Sequence, residues 1–404
     1  MARPPLTGIK VYEIGNFMAA PYCSMQLADL GADVVKIENP KGGDMTRLTA
    51  PFLDGESSNF IRLNRNKRSL ALDLKQPEGK EIFRTLARGA DIIVENLRPG
   101  TMAHLELDYA RLAAENSRLI YVAASGWGQD GPYAEKAGLD IIAQGMSGLM
   151  SITGTEGGDP VKVGVPVTDL VCALYGALAA VSALHARETS GRGQLIDVCL
   201  FEAGVSLAIW EAGKYFATGE IPKPLGSAHQ TSAPYQALRS SDGYFTAGAS
   251  TARNWSGFCT VLGLEHLEHD PRFSENHLRR EHVAALIPLI EEVTVTKPSS
   301  TWVEGLQAVG VPAGMLQNYE QVFNDPHLND RGYFSDARHA TLGPIRQLGS
   351  PMRFSETKVR IERAGPLLGE HSEEILSALG YTATQIEDLI ARGVAAKPEV
   401  TTAR

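Results

Sequence analysis

What most limits the fold of this chain is the regular return, over its first half, of short β-branched runs separated by helical patterns. Residues 8–14 (GIKVYEI), 32–38 (ADVVKIE), 69–74 (SLALDL), 91–95 (DIIVE), 119–123 (LIYVA) and 194–199 (QLIDVC) read as strands. Helical patterns lie between them, among them 22–30, 77–88 and 109–114. Strand, helix, strand at this spacing predicts parallel strands with right-handed crossovers, an α/β doubly wound sheet. Ligands of such sheets sit off the carboxyl ends of the strands. The turn after the first strand, Gly15-Asn16-Phe17-Met18-Ala19-Ala20-Pro21, lacks G-x-G-x-x-G, and no G-x-x-x-x-G-K-[ST] occurs. A dinucleotide cofactor and a P-loop are therefore not expected.

Around Gly219 the composition changes. The stretch GEIPKPLGSAHQTSAPYQALRSSDGYFTAGAS is rich in Gly, Pro and Ser and reads as a domain crossing followed by a hairpin. Beyond it WSGFCTVLGL, RREHVAALIPLIEEV and TWVEGLQAVG have three-four apolar spacing. The expected organisation is a large α/β domain over 1–220, a small α+β domain over 221–325, and a C-terminal segment over 326–404.

With 38 Lys plus Arg against 47 acids the formal charge is -9, so the chain as a whole repels nucleic acid and anionic membranes. Cys23, Cys172, Cys199 and Cys259 form no C-x-x-C pair, which points to reduced thiols, no disulfide framework and no metal site. The opening MARPPLTGIKVYEIG has no apolar run of signal-peptide length, so a cytoplasmic location is expected. The apolar run Leu170 to Leu184 falls short of the ~20 residues of a membrane span and reads as a buried helix.

Within VGVPVTDLVCALYGALAAVSAL, at 163–184, Asp169 is the lone carboxylate. Two readings are open: Thr168 or Asp169 caps the helix, or Asp169 is an anchored nucleophile at the mouth of a cleft. The basic run Arg62-Leu63-Asn64-Arg65-Asn66-Lys67-Arg68 is either a solvated face or a phosphate site. Asn96-Leu97-Arg98-Pro99-Gly100 puts an amide and a cation at a strand's carboxyl end. Gly42-Gly43-Asp44-Met45-Thr46-Arg47 reads as a flexible turn with a surface arginine, and His371 as a cap or surface group.

Taken together these residues resemble the class III coenzyme A transferases, the CaiB/BaiF type that includes formyl-CoA and carnitine CoA-transferases. The resemblance runs through Leu6 to Val11, Leu30 to Glu38, Gly43 to Arg47, Asn66 to Ser69, Val94 to Gly100, Thr189 to Gln194 and Pro366 to His371. It implies that Asp169 attacks an acyl-CoA thioester and becomes in turn a mixed anhydride and an aspartyl-CoA thioester, with coenzyme A a substrate and no cofactor needed. It implies CoA contacts along Lys75, Asn96, Arg98 and Arg47. Asn16 and Met18 would lie beside the reacting centre, Met18 where formyl-CoA transferase has glutamine, and His104 stands where that relative has an arginine. Residues 226–230, with Gly226, His229 and Gln230, correspond to the loop that covers the site.

The implied partners are an acyl-CoA and a small carboxylic acid, with succinyl-CoA and a dicarboxylate favoured. The implied assembly is an interlocked homodimer whose Rossmann-like large domain is completed by the C-terminal segment. The related α-methylacyl-CoA racemases carry Gly-His-Asp where this chain has Gly138-Leu139-Asp140, and leucine cannot take a proton. A non-catalytic CoA-binding protein is the other alternative, and Asp169 in its family context argues against it.

Overall fold

In a computed structural model, which describes residues 3–398, the six expected runs form one parallel sheet. Its strands are β1 (Lys10–Ile14), β2 (Asp33–Glu38), β3 (Arg68–Leu72), β4 (Ile92–Glu95), β5 (Ile120–Ser125) and β6 (Leu195–Cys199). The spatial order is 3-2-1-4-5-6, and the short strand Ala395–Ala396 pairs antiparallel on the outer edge of β3 to make seven. This is the doubly wound order, in which the chain reverses direction of growth between β1 and β4.

Both faces are covered, which is why the strands read as apolar runs and not as alternating ones. On one face Tyr12, Ile14, Val35, Ile37, Leu70 and Ile93 pack on the helix Pro77–Arg88 and the C-terminal helices Ser372–Ala378 and Ala383–Ala391. On the other, Val11, Val34, Ile92, Val94 and Val122 meet two helices, Ala19–Asp29 and Val167–Ser190. Each such side chain contributes about 1.5–3 kcal/mol when fully buried.

The helix Val167–Ser190 is long and apolar enough to cross a membrane by length and composition alone. Cys172, Ala173, Gly176, Ala177, Ala180 and Ala183 make its buried stripe, and Ala173, Ala177, Ala180 and Ala183 belong to the core beneath the sheet. It is a core helix. Leu174, Tyr175, Leu178 and Val181 on its other side are exposed.

The chain divides into two compact units, one of residues 1–149, 163–210 and 329–404, the other of residues 150–162 and 211–328. The crossing into the long segment of the second unit falls at 210, ten residues before the expected 220, and residues 150–162, expected in the large domain, also belong to the second unit. The second unit has the expected hairpin, Tyr235–Ser240 with Gly243–Gly248, and a third strand, Ala313–Met315. The helices Ala252–Leu262, Val283–Thr294 and Ser299–Ala308 close its core around Leu238, Phe245, Trp255, Phe258 and Trp302.

Candidate active site

The crevice between β1 and β4 is closed by one side chain. Asn96, just past β4, accepts a hydrogen bond from the Asn16 N–H at 2.9 Å and donates to the Asn16 carbonyl at 2.8 Å, as a strand neighbour would. Gly15 leaves room for this clasp: a Cβ there would lie 2.7 Å from Ala20 Cβ and 2.9 Å from Asn96 Oδ1. The turn then passes through Phe17 at φ 60°, a left-handed conformation costly for a bulky residue. The Phe17 N–H donates to Asp44 Oδ1 at 3.2 Å. Met18, half-buried, opens the helix Ala19–Asp29 without a side-chain cap.

Beneath this turn lies a fully buried ionic cluster. Glu13 receives Lys36 Nζ at 2.5 Å, Lys67 Nζ at 2.7 Å and Ser24 Oγ at 2.8 Å. Lys36 also reaches Asp44 at 2.8 Å and donates to the Gly15 carbonyl at 2.9 Å. Burial alone would raise the Glu13 carboxyl, but the two ammonium groups override it and hold it below the usual range. Burial pulls the Lys67 ammonium down to about 8 against the opposing pull of Glu13. The cluster grips the turn at both ends, through the Gly15 carbonyl and the Phe17 amide.

Two readings of the sequence are corrected here. The run 62–68 is neither a solvated face nor a phosphate site. Arg65 pairs with Asp29 at 2.6 Å, Lys67 with Glu13, Arg68 with Asp33 and Glu374, and Arg62 donates to Ser58. The Arg47 side chain is 10% exposed, not a surface arginine: it makes a two-pronged pair with Glu38 at 2.7 and 2.8 Å and lies over the Phe60 ring. Its charge is neutralised inside the fold.

At the carboxyl ends of β1, β2 and β3 a cavity of about 250 Å³ is lined by Asn16, Glu38, Asp44, Leu72, Lys75 and Leu97, among others. Ligand sites usually span ~300–1,000 Å³, and this cavity is smaller than that range. Lys75 is exposed and its ammonium has no partner among the described residues. Arg98 and His104 flank the cavity on the 96–104 segment without lining it; Arg98 is exposed, and His104 Nδ1 lies 2.7 Å from the Gly100 carbonyl. Glu95, the last residue of β4, is pushed up to about 7 by burial, opposed by the Leu97 N–H it accepts.

Asp169 does not cap its helix, and neither does Thr168. The helix begins at Val167 behind Pro166, which offers no side-chain cap, and Asp169 is its third residue. The capping is done from another segment. Asp140 Oδ1 accepts from the Thr168 N–H at 3.0 Å and from Thr168 Oγ1 at 2.7 Å. The Asp169 carboxylate accepts no hydrogen bond among the described residues, and burial first, then the charge of Asp140, push it up to about 7. Because this helix packs on β5 and β6 and leads directly into β6, its first turn stands at the carboxyl edge of the sheet. Gly204 permits the helix Leu200–Ser206 to press on the same turn, where a Cβ would come within 2.5 Å of Ser147 Oγ and 3.1 Å of Thr168 Cγ2.

The segment 226–230 is fastened within the second unit. The Gly226 N–H donates to Gly154, and the His229 N–H to Tyr235, whose ring meets the imidazole edge-on. Gln230 pairs with Glu211 and receives Arg280 on its carbonyl. His371 is half-buried, with Nδ1 accepting from the Ser69 N–H.

The Asn16–Asn96 clasp, the buried cluster and Asp140 were not foreseen. Their signals were present: Glu13 and Lys36 interrupt apolar strands at positions that the sheet must bury.

A doubly wound sheet thus carries at its carboxyl edge an aspartate that accepts no hydrogen bond among the described residues. The chain matches CoA-transferase family III over residues 6–372 and belongs to that family. It is 36% identical over 392 residues to a succinyl-CoA:glutarate CoA-transferase of Homo sapiens, covering 96% of this chain and 90% of that one. It is 37% identical over 384 residues to a succinate–glutarate CoA-transferase of Agrobacterium fabrum, covering 93% and 96%. Among solved structures, a CaiB/BaiF family protein from Brucella suis matches with a TM-score of 0.85 at 38% identity, over 94% of this chain and 100% of that one.

Proposed function

We propose that this chain moves coenzyme A from succinyl-CoA to a small dicarboxylate such as glutarate, with Asp169 as the nucleophile. The observation that carries the reading is the place of Asp169, a half-buried carboxylate in the first turn of the helix Val167–Ser190 that accepts no hydrogen bond among the described residues; burial, then the charge of Asp140, push it up to about 7. Such a group is poorly solvated, and when ionised it attacks readily. An Asp169 oxygen adds to the thioester carbonyl carbon, the C–S bond breaks, and CoA thiolate leaves a mixed anhydride. The thiolate then attacks the aspartyl carbon, releasing succinate and leaving an aspartyl-CoA thioester. The acceptor carboxylate attacks that thioester, and the expelled thiolate takes the new acyl group and frees Asp169. Electrons and atoms balance without a redox or metal step.

The choice of dicarboxylate is supported by the names of the relatives. Lys75 and Arg98, cations with no partner among the described residues, suit the CoA phosphates, with His104 beside them, and Asn96 holds the turn that borders the reacting centre. The family resemblance assigns residues 226–230 as a cover against water. Removing them is expected to raise CoA-ester hydrolysis. A racemase would need a base at position 139, and Leu139 cannot hold a proton.

The exposed apolar row Leu174, Tyr175, Leu178 and Val181, with Ile209, Trp210 and Phe216, supports an interlocked homodimer, because monomers rarely leave such surface in water. Sedimentation at micromolar concentration should give twice the chain mass; a monomer would defeat this part of the reading. For the chemistry, succinyl-CoA without acceptor, followed by acid quench and peptide mass analysis, should show CoA attached at Asp169. Glutarate should discharge it as glutaryl-CoA. Succinate and free CoA alone, with neither adduct nor transfer, would overturn the proposal.

A further inference from the structure

The segment that enters the nucleophile's helix is held at two points by one short helix, Asp140–Met146. Gln144, fully buried, accepts the Val163 N–H at 2.9 Å and donates to Asp140 Oδ2 at 2.7 Å. Asp140 Oδ1 in turn accepts from the amide and the hydroxyl of Thr168. Both Asp140 oxygens are thus occupied by donors, the arrangement that suits an ionised carboxylate. Val163 is also where the chain re-enters the first unit after 150–162. We propose that Asp140, steadied by Gln144, is the positioning residue of the Asp169 nucleophile, fixing the first turn of its helix and keeping a negative charge against it.

This inference rests on Asp169 as nucleophile and adds what governs it. The capping that a helix usually takes from its own N-terminal residue is taken here from outside, and the Asp169 oxygens accept no hydrogen bond among the described residues. Burial first, and the neighbouring charge of Asp140 added to it, oppose ionisation, so that the reactive form accumulates as pH rises through about 7. Other elements packed on this helix bring Cys23, Asp197, Cys199 and Glu202, and the helix itself brings Cys172. The three thiols are raised by burial and stay neutral, and Asp140 is the charge that raises Asp169.

Two substitutions separate the roles. Asp140→Asn keeps an acceptor for Thr168 and removes the charge: the acid limb of kcat/KM for succinyl-CoA should move at least half a unit lower, so the pH 6 to pH 8 ratio rises about threefold. Thr168→Val keeps the charge and removes one hydrogen bond: kcat at pH 8 should fall several-fold, roughly the value of one bond, with the acid limb unmoved. Coincident limbs in Asp140→Asn and the unmodified enzyme, or an unchanged kcat in Thr168→Val, would overturn the inference. Detection of the CoA adduct on Asp169 of the unmodified enzyme keeps these results separate from a failure of the nucleophile reading itself.

Discussion

Replacing Asp169 by Asn should make the protein more stable while removing its chemistry, and the size of the gain should depend on pH in a set direction. The carboxyl titrates near 7 in the fold against 3.8 as a free side chain. Below 3.8 it is neutral in both states and costs nothing. As pH rises from 3.8 to 7 the unfolded chain ionises freely and the fold resists, so the native state loses stability until the cost is complete above 7. Three pH units at 1.36 kcal/mol each give about 4 kcal/mol, which partial solvent contact reduces to roughly 2–3. The asparagine variant carries none of this cost. Urea titrations should therefore show its advantage growing by about 2 kcal/mol between pH 5 and pH 8, with the slope of the transition unchanged. Transfer activity in the same preparation should fall by at least about a thousandfold, because no carboxylate remains to form the anhydride. An advantage equal at the two pH values, or a less stable variant at pH 8, would refute the argument that the fold holds this carboxylate against its own ionisation.

Lys75→Ala and Arg98→Ala should each raise KM for acyl-CoA about five- to thirtyfold with Tm unchanged, since neither side chain has a partner among the described residues; Arg47→Ala should instead lower stability, because it removes the cation paired with Glu38. Lys36→Met leaves the Asp44 and Glu13 carboxylates without one buried cation and the Gly15 carbonyl without its lysine donor, and a loss of about 3–5 kcal/mol is expected in denaturant titration. Gly15→Ala drives a Cβ into Ala20 and the Asn96 amide, and KM for acyl-CoA should rise more than kcat falls.

The sheet was legible because parallel strands buried on both faces leave an unmistakable run of β-branched residues, as at Val34-Val35 and Ile92-Ile93-Val94. Helix ends were less so. Thr168 and Asp169 have the chemistry of a cap, but the cap comes from Asp140, twenty-eight positions away in sequence for Thr168, and no local rule reports a tertiary contact. The same limit misled the reading of 62–68. Arginine and lysine in a row look solvated until Asp29, Asp33 and Glu13 are brought beside them by the sheet. The 150–162 excursion carries no composition signal as sharp as the one near 219, and it was read as part of the first unit.

The pairing of Ala395–Ala396 on β3 bears on how the molecule is made. The Asp73 amide, at the turn that leads to Lys75, donates to the Val394 carbonyl at 2.8 Å, and Ile375, Leu376, Ile386 and Leu389 supply part of the core under β3. During synthesis the second unit's long segment leaves the ribosome before any of these residues exist. Its hairpin and helices can settle while the earlier sheet still waits with an open edge, a surface prone to stray pairing. The cavity at the carboxyl ends of β1, β2 and β3 is bounded by strands translated early, yet the strand that covers the outer edge of β3 is made more than three hundred residues later.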